Sequence, residues 1–284
     1  MRKNFKYIFV LALLLSAILI WREVSSAQGG TLKFYLLDVG QGDALFIETP
    51  SGNQVLIDGG PDRSVLRELG QVMPFYDHAL DLVILTHPHL DHVAGLVEVF
   101  KRYEVTRYLD AGDERSLAEY GELKKLVQEK GATYRQARRG LTILLDKNIM
   151  LEVLYPEKVV ASSNPHRNVV ISRLSFGANH FLLMGDGEVP EEFYLVGHND
   201  ALASQVLKVG HHGSKTSSSQ LFLEQVRPQF ALISVGRKNK YGHPTQEVLE
   251  NLAAVGAKIL RTDLNGRIEI TSDGLHLFLN SGNI

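Results

Sequence analysis

The segment that follows the apolar run Leu82–Leu85 constrains the fold of this chain more than any other. It reads Thr86-His87-Pro88-His89-Leu90-Asp91-His92 and so contains three histidines and one aspartate within six positions. The near-continuous apolar run predicts a strand that is covered on both faces. Helical spacing begins at Val93 and continues to Lys101. We therefore expect the histidines at the mouth of a buried strand, where a helix begins.

The histidines of this segment have the spacing of metal ligands. Alternate residues point to the same side, so His87 and His89 could bind one cation, and Asp91 and His92 a second. Imidazole and carboxylate suit Zn²⁺, and an open coordination position on each ion is what a hydrolase needs. Mn²⁺ accepts the same ligand types. The alternative is a solvated histidine-rich loop without a metal.

Composition narrows the possible chemistry. The 284 residues contain no cysteine, which excludes disulfides, thiolate metal sites and thiol catalysis. Histidine and carboxylates must therefore carry any metal. The formal net charge of -2 gives no global attraction to nucleic acid, so a phosphate-binding surface must be local.

The first residues predict export. Basic residues precede an apolar run from Tyr7 to Trp21, and Ser25–Ala27 offers small residues for cleavage. Arg22 and Glu23 instead resemble the polar flank of an uncleaved anchor. We expect residues 1–27 to be a signal peptide or an N-terminal membrane anchor. Either leaves the rest of the chain outside the cytoplasm, secreted or tethered to the membrane.

Residues 31–284 read as one continuous domain of the α/β class. Short β-rich runs precede helices in each half, for example Leu32–Leu37 in the first half and Met150–Tyr155 in the second. Two such halves facing each other form a four-layer αββα sandwich. Its strand-end loops converge on one edge, where the chemistry is expected.

The sequence also resembles a known superfamily. His87, His89, Asp91 and His92 match in full the H-x-H-x-D-H signature of the metallo-β-lactamase superfamily. Further motifs resemble those of the hydrolase domain of ComEC-type competence proteins; they are Leu37–Ala44, Leu56–Gly60, Met184–Asp186, Lys208–Ser214 and Tyr241–Pro244. In that family the domain is attached to a multi-span DNA channel and is thought to degrade DNA during uptake. The resemblance implies the metallo-β-lactamase fold and a metal-dependent hydrolase.

Carried over residue by residue, the resemblance extends the ligand set. Asp186 matches the aspartate that bridges two metals, although alone it would read as a turn residue. Either His211 or His212 matches the late metal-binding histidine. We prefer His211, which is nearer the end of the strand, and place His212 beside it as a supporting or substrate contact. Asp58 resembles the early aspartate that orients the ligand loop, with a plain turn residue as its competitor. Asp38 is placed with Asp58 in that supporting role.

A third histidine for the first metal has no obvious motif. His166 is the nearest candidate, and a loop histidine without a partner is an equal alternative. Asn168 or a water could take its place.

Three further side chains are candidates for roles beside the metals. His243, Lys215 and Tyr241 lie in late loops and could stabilise a phosphoryl group or the leaving oxygen. With Asp91, His243 and Lys215 form the predicted catalytic set.

Two groups of basic residues could seat a phosphate backbone. The late group comprises Lys208, Lys215, Arg237, Lys238 and Lys240. The second comprises Arg135, Arg138 and Arg139, in a segment that otherwise reads as a solvated turn.

These features predict an exported phosphodiesterase that acts on DNA. Two Zn²⁺ ions would hold a bridging hydroxide that attacks phosphorus. One alternative is hydrolysis of another envelope phosphodiester, such as a phosphocholine ester. Another is a catalytically silent protein that binds DNA for a separate channel protein.

Overall fold

Two β-sheets packed face to face form the centre of the molecule. The structure is a computed structural model that describes residues 6–7, 9–18, 30–113, 116–159, 165–198 and 200–280. In chain order the strands are β1 Leu32–Leu36, β2 Leu45–Glu48, β3 Gln54–Ile57, β4 Ala79–Ile84, β5 Glu104–Asp110, β6 Thr133–Gln136, β7 Thr142–Asp146, β8 Ile149–Tyr155, β9 Ile171–Phe176, β10 Asn179–Leu183, β11 Val206–Lys208, β12 Phe230–Ile233, β13 Lys258–Arg261, β14 Ile268–Ser272 and β15 Leu277–Asn280. The first sheet has the order β15-β14-β1-β2-β3-β4-β5-β6 and the second β13-β12-β11-β10-β9-β8-β7.

Helices cover the outer face of each sheet. Over the first sheet lie α1 Ser64–Val72, α2 Leu90–Arg102 and α3 Ala118–Glu129, and over the second α4 Val189–Gly197, α5 Gln220–Val226 and α6 Gln246–Ala254, with a short α7 at Thr262–Asn265. Short 3₁₀ turns cover Pro165–Asn168 and Gly210–Gly213. Of these helices, α1, α4 and the short α7 were not predicted from the sequence.

Three separate apolar clusters show the four layers. One fills the space between the sheets, where Phe34 of β1 meets Phe181 of β10 with ring centroids 5.0 Å apart. A second lies between the first sheet and its helices, and a third between the second sheet and its helices. The predicted αββα sandwich is confirmed.

Strand direction defines two edges of the sandwich. Strands β3 to β6 are mutually parallel, as are β10 to β13. We call the edge where β4, β10 and β11 end the site edge. The edge where β1, β4 and β8 begin is called the opposite edge.

The predicted signal or anchor falls mostly outside the described residues. Residues 9–18 are helical. Over the part of the chain that the structure describes, no helix combines the length and the apolar character that crossing a bilayer requires.

Candidate metal centre

The loop between β4 and α2 brings the predicted histidines together. Strand β4 runs through the core, and its last residues are buried. His89 is the N-cap residue of α2, so His92 lies in the first helical turn and its backbone N–H bonds to the His89 carbonyl at 3.0 Å. The rings of His87 and His89 are 4.4 Å apart at their centroids, and those of His87 and His92 are 4.2 Å apart.

Asp58 holds this loop in place from the end of β3. Its Oδ1 accepts the backbone N–H of Thr86 at 2.8 Å, and its Oδ2 accepts the Thr86 hydroxyl at 2.7 Å. The same Oδ2 lies 2.8 Å from Nδ1 of His92. A carboxylate on Nδ1 fixes the tautomer and leaves Nε2 free to face the centre. Asp58 is fully buried and so has the supporting position that the sequence suggested.

Asp186 comes from the second sheet, in the turn after β10. Its Oδ2 lies 3.4 Å from Nε2 of His92 and 3.5 Å from Nε2 of His87. Its Oδ1 lies 3.5 Å from Nε2 of His212. One buried carboxylate thus faces imidazoles from both halves of the sandwich, which is the geometry a bridging ligand requires.

The distances favour His212 over His211, the opposite of our sequence-based preference. Nε2 of His212 lies 3.4 Å from Asp91 Oδ2, and the side chain is buried. His211 is partly exposed, its Nε2 lies 3.9 Å from Asp186 Oδ2, and its Nδ1 lies 3.0 Å from Glu188. The physical reason lies in the backbone, because both histidines have left-handed φ values, 45° and 54°. That conformation is costly for a residue with a side chain and turns the second imidazole inward.

Asp43 is a member of the site that sequence reasoning missed. It is fully buried just before β2, with Oδ1 3.3 Å from His212 Nδ1 and Oδ2 2.5 Å from Lys208 Nζ. Nδ1 of His212 also lies 2.9 Å from the Ser234 carbonyl oxygen. Asp38, five residues earlier, is only half-buried, and its backbone carbonyl accepts a bond from Arg67. The sequence did contain an indication of this role, because Asp43 stands between a glycine-rich turn, Gly40–Gly42, and a buried strand.

The charges of the centre depend on one another. Burial opposes a charge on His212, but the carboxylates of Asp186 and Asp43 outweigh it and raise the pKa from 6.5 to about 10. Burial also opposes a charge on His92, yet Asp186 and Asp58 raise its pKa well above 6.5. Burial would raise the pKa of Asp186, but His92 and His212 lower it well below 3.8. A cation that binds here therefore displaces protons from imidazole.

The donor set fits divalent metal ions. Among the described residues, the buried Nε2 atoms of His92 and His212 have no hydrogen-bond partner. Leaving such atoms unsatisfied is costly unless a ligand binds them. Ligand atoms lie within 4.8 Å of one another in four overlapping groups, namely His87–His92–Asp186, Asp91–His92–His212, Asp43–Asp186–His212 and Asp43–Asp58–His92. The first and second groups together contain four of the seven residues that the sequence predicted as ligands, and they add His212, which was predicted as a supporting residue.

A cavity of about 210 Å³ opens from the centre to the surface. Its lining comprises Gln41, His89, Asp91, Asp186, His211, His212, Tyr241 and His243. His243 is half-buried, and burial together with His211 and His212 lowers its pKa below 6.5. Lys215 is exposed and does not line this cavity, so the structure does not bring it to the centre.

The predicted third histidine stays a prediction. His166 lies in the 3₁₀ turn Pro165–Asn168, and its side chain falls outside what the structure describes. Asn168 is buried and donates to Asp113 Oδ2 at 3.0 Å.

The structure gives several residues of the two predicted basic groups a structural role. Lys208 was expected to contact phosphate, and this is wrong, because its Nζ is buried against Asp43. Arg135 belongs to strand β6 rather than to a solvated turn. Arg139 pairs with Asp200 and Arg138 donates to the Ala111 carbonyl, so both have structural partners. Exposed cations remain near the site at Lys215, Arg237, Lys238 and Lys240.

A match to a protein-family model, which covers most of the described domain, identifies the family of this chain. Residues 37–237 match the model of the metallo-β-lactamase superfamily. The chain belongs to this superfamily. Its members usually bind divalent metals and are mostly hydrolases.

Similar sequences come from competence proteins. The chain is 32% identical over 251 residues to ComE operon protein 3 of Bacillus subtilis, covering 82% of this chain and 32% of that protein. It is 32% identical over 237 residues to Competence protein ComA of Neisseria gonorrhoeae, covering 82% and 31%. The resemblance to ComEC-type proteins is therefore shown. The chain spans about a third of the length of these relatives.

Solved structures support the fold. The metallo-β-lactamase fold protein YhfI from Bacillus subtilis matches with a TM-score of 0.54 at 12% identity, over 81% of this chain and 96% of that one. CmlA, a diiron β-hydroxylase from Streptomyces venezuelae, matches with a TM-score of 0.58 at 14% identity, over 86% and 54%. At these identities the likeness concerns the fold alone.

Proposed function

We propose that this protein is an exported or membrane-tethered phosphodiesterase that cleaves DNA with two divalent metal ions. Zn²⁺ is the expected metal, and Mn²⁺ is the alternative. One observation carries the proposal. Asp186 faces imidazoles from both sheets, and the Nε2 atoms of His92 and His212 have no hydrogen-bond partner within the described chain. Such a centre serves metal-dependent hydrolysis better than it serves structural stability.

The residues divide into two metal positions. His87 and His89, with Asp186, would hold the first ion, and Asp91, His92 and His212, again with Asp186, the second. Bound metal ions would supply Lewis-acid activation of water and of the phosphodiester. This assignment replaces His211 with His212 and leaves His211 beside the cavity.

The chain's own groups would position the substrate and handle protons. Since its pKa is lowered, His243 is neutral at pH 7 and could donate one N–H to a phosphoryl oxygen or accept a proton. Its ring lies 5.8 Å from that of Tyr241 and nearly parallel to it. The exposed Tyr241 offers a surface for a nucleobase to stack on.

Local charge favours a polyanionic substrate. Arg237, Lys238 and Lys240 are exposed in the loop that leads to Tyr241 and His243. A basic loop with an aromatic side chain is typical of single-stranded nucleic acid binding. This supports DNA ahead of a small envelope phosphodiester. The partner proposed from the resemblance to ComEC-type proteins is a separate DNA-channel protein.

The test is a substrate panel. Fluorescent single-stranded DNA and bis-p-nitrophenyl phosphate are incubated with the full chain, with added Zn²⁺ or Mn²⁺, and with a chelator. We expect metal-dependent cleavage of DNA that the chelator stops. Cleavage of the small diester alone would favour another envelope substrate, and DNA binding without any cleavage would favour the catalytically silent alternative.

Ligand variants test whether the reaction takes place at this centre. Asp91→Ala and His89→Ala should abolish turnover, because each removes a metal ligand. His276→Ala is the matched control, since His276 is an exposed histidine at the opposite edge that pairs with Asp273. Unchanged cleavage in the ligand variants would contradict the proposed site.

A further inference from the structure

Large apolar side chains are exposed at the opposite edge of the sandwich. Phe75 is 89% exposed and Tyr76 is 73% exposed, and their rings contact each other edge to face. Leu144, Met150 and Leu275 are also exposed. Single exposed apolar residues are ordinary, but several on one surface indicate an interaction site.

The sheet topology places all five side chains at this edge. Phe75 and Tyr76 lie in the loop that leads into the start of β4. Leu144 and Met150 flank the hairpin between β7 and β8. Leu275 lies in the turn between β14 and β15, next to Ser272, which pairs with Leu32 at the start of β1.

Hydrogen bonds join two of these loops, the one with Phe75 and Tyr76 and the β7–β8 hairpin, through the turn between β2 and β3. Asp77, next to Tyr76, accepts a bond from the Gln54 side chain at 2.8 Å. Asn53, in the turn between β2 and β3, donates to the Leu145 carbonyl at 2.7 Å. Ser51 of the same turn bonds to Asp146 at 2.8 Å. The turn at 50–53 thus connects the aromatic loop with the β7–β8 hairpin.

The N-terminal segment enters the domain at the same place. Gly30 packs so closely on Pro50 that a Cβ there would lie 2.6 Å from the Pro50 Cβ. The apolar run Tyr7–Trp21 precedes it by only eight residues, 22–29. Trp21 and Gly30 are nine residues apart in the sequence, so their Cα atoms can be at most about 32 Å apart, and the end of the run lies within that reach of this edge. The side chains at 9–18 are exposed and mostly apolar.

Net charge does not explain this surface. The exposed cations Arg102, Lys130 and Lys147 at this edge are matched by the exposed carboxylates of Glu104, Glu129 and Asp273. Apolar contact must therefore supply the binding energy. Aromatic side chains such as Phe75 and Tyr76 favour the interface between water and lipid.

We propose that this edge, defined by Phe75, Tyr76, Leu144, Met150 and Leu275, is the surface that the protein lays on a lipid bilayer. The N-terminal run inserts beside it, and the two contacts together fix the orientation of the domain. The metal centre then faces away from the membrane, because the strands that separate the two edges span roughly 17–20 Å. A polymer substrate in solution reaches the centre without crossing the lipid surface. The inference rests on the membrane-tethered form of the proposed function and is independent of its catalytic part.

Tryptophan fluorescence of the full chain tests the proposal. Trp21 is the only tryptophan, so Trp21→Phe gives a silent background. Phe75→Trp and Leu144→Trp then report on the opposite edge in separate variants. Leu264→Trp is the matched control, because Leu264 is also exposed but follows the end of β13 at the site edge. Each variant is reconstituted in phosphatidylethanolamine–phosphatidylglycerol vesicles with and without brominated acyl chains.

We expect blue-shifted emission and quenching by the brominated chains at positions 75 and 144, and neither at position 264. Vesicles of phosphatidylcholine should give the same result, since the contact is apolar. Absence of quenching at 75 and 144, or stronger quenching at 264, would overturn the proposal. A blue shift that grows with protein concentration in the absence of vesicles would also overturn it, since a second copy of the chain would then cover this edge.

Discussion

Loop 86–92 and loop 209–214 bring imidazoles to the same centre, but different interactions hold them. In loop 86–92 the ligands follow one another along the chain, and one buried carboxylate, Asp58, bonds both Thr86 and His92. In loop 209–214 the inward turn of His212 relies on a left-handed backbone and on Asp43, which comes from the other sheet and is paired with Lys208. The first loop is held by hydrogen bonds between neighbouring strands of one sheet, and the second by charges that meet only after both sheets have packed.

The largest expected effect comes from breaking the charge pair under the second loop. Lys208→Met leaves the Asp43 carboxylate buried without its cation, so the free energy of unfolding should fall by about 3–5 kcal/mol. Denaturant unfolding of the metal-free protein measures it. Lys215→Met is the matched control, an exposed lysine on the following turn, and should change stability by less than about 0.5 kcal/mol. Equal effects in the two variants would mean that the second loop does not depend on this pair.

Removing the carboxylate under the first loop should have a smaller effect, seen in metal binding. Asp58→Asn keeps a residue that tolerates the φ of 60° at this position but loses one charged acceptor. Metal affinity should fall about 10- to 100-fold, as is typical when the partner of a ligand is changed. Titration calorimetry measures the affinity. Asp146→Asn, the same exchange at the opposite edge, should leave the metal affinity unchanged. A similar loss of affinity in Asp146→Asn would mean that the effect of Asp58→Asn does not come from the position of Asp58 under the loop.

The pH dependence of metal binding sharpens the comparison further. In the metal-free protein the pKa values of His92 and His212 are raised, that of His212 to about 10. Both side chains are therefore in the imidazolium form at pH 7, with one proton more than a metal ligand has. Metal must displace these protons, so affinity should increase with pH up to about 10, by about tenfold per unit for each proton displaced. Titration calorimetry in buffers of different ionisation enthalpy counts the protons released. A flat affinity between pH 6 and pH 9 would contradict the charge assignment.

The two loops also differ in how far the sequence predicts them. The cluster at 87–92 stands in one continuous segment after an apolar strand, so its position could be predicted from pattern alone. The choice between His211 and His212 could not, because two left-handed residues in succession leave no signature in hydrophobic spacing. Lys208 reads as a surface cation in the sequence, and only the packing of both sheets reveals Asp43 as its partner.

The secondary structure shows the same limit. The buried strands and the four-layer arrangement follow from apolar runs separated by glycine-bearing turns. Strand β6 was missed because all four of its side chains are exposed, so no alternation marks it, and β5 was missed because its buried and exposed side chains do not alternate regularly. Helix α4 was missed because its first turn contains Pro190 and two buried glutamates, Glu191 and Glu192, which mask an apolar face.

Metal content of two neighbouring variants tests the central claim most directly. His212→Ala and His211→Ala are purified alongside the unaltered chain, loaded with Zn²⁺, dialysed, and analysed for metal per chain by atomic emission. Our assignment predicts that the unaltered chain and His211→Ala both hold about two ions, whereas His212→Ala loses one. Full loading of His212→Ala together with loss of an ion from His211→Ala would contradict it.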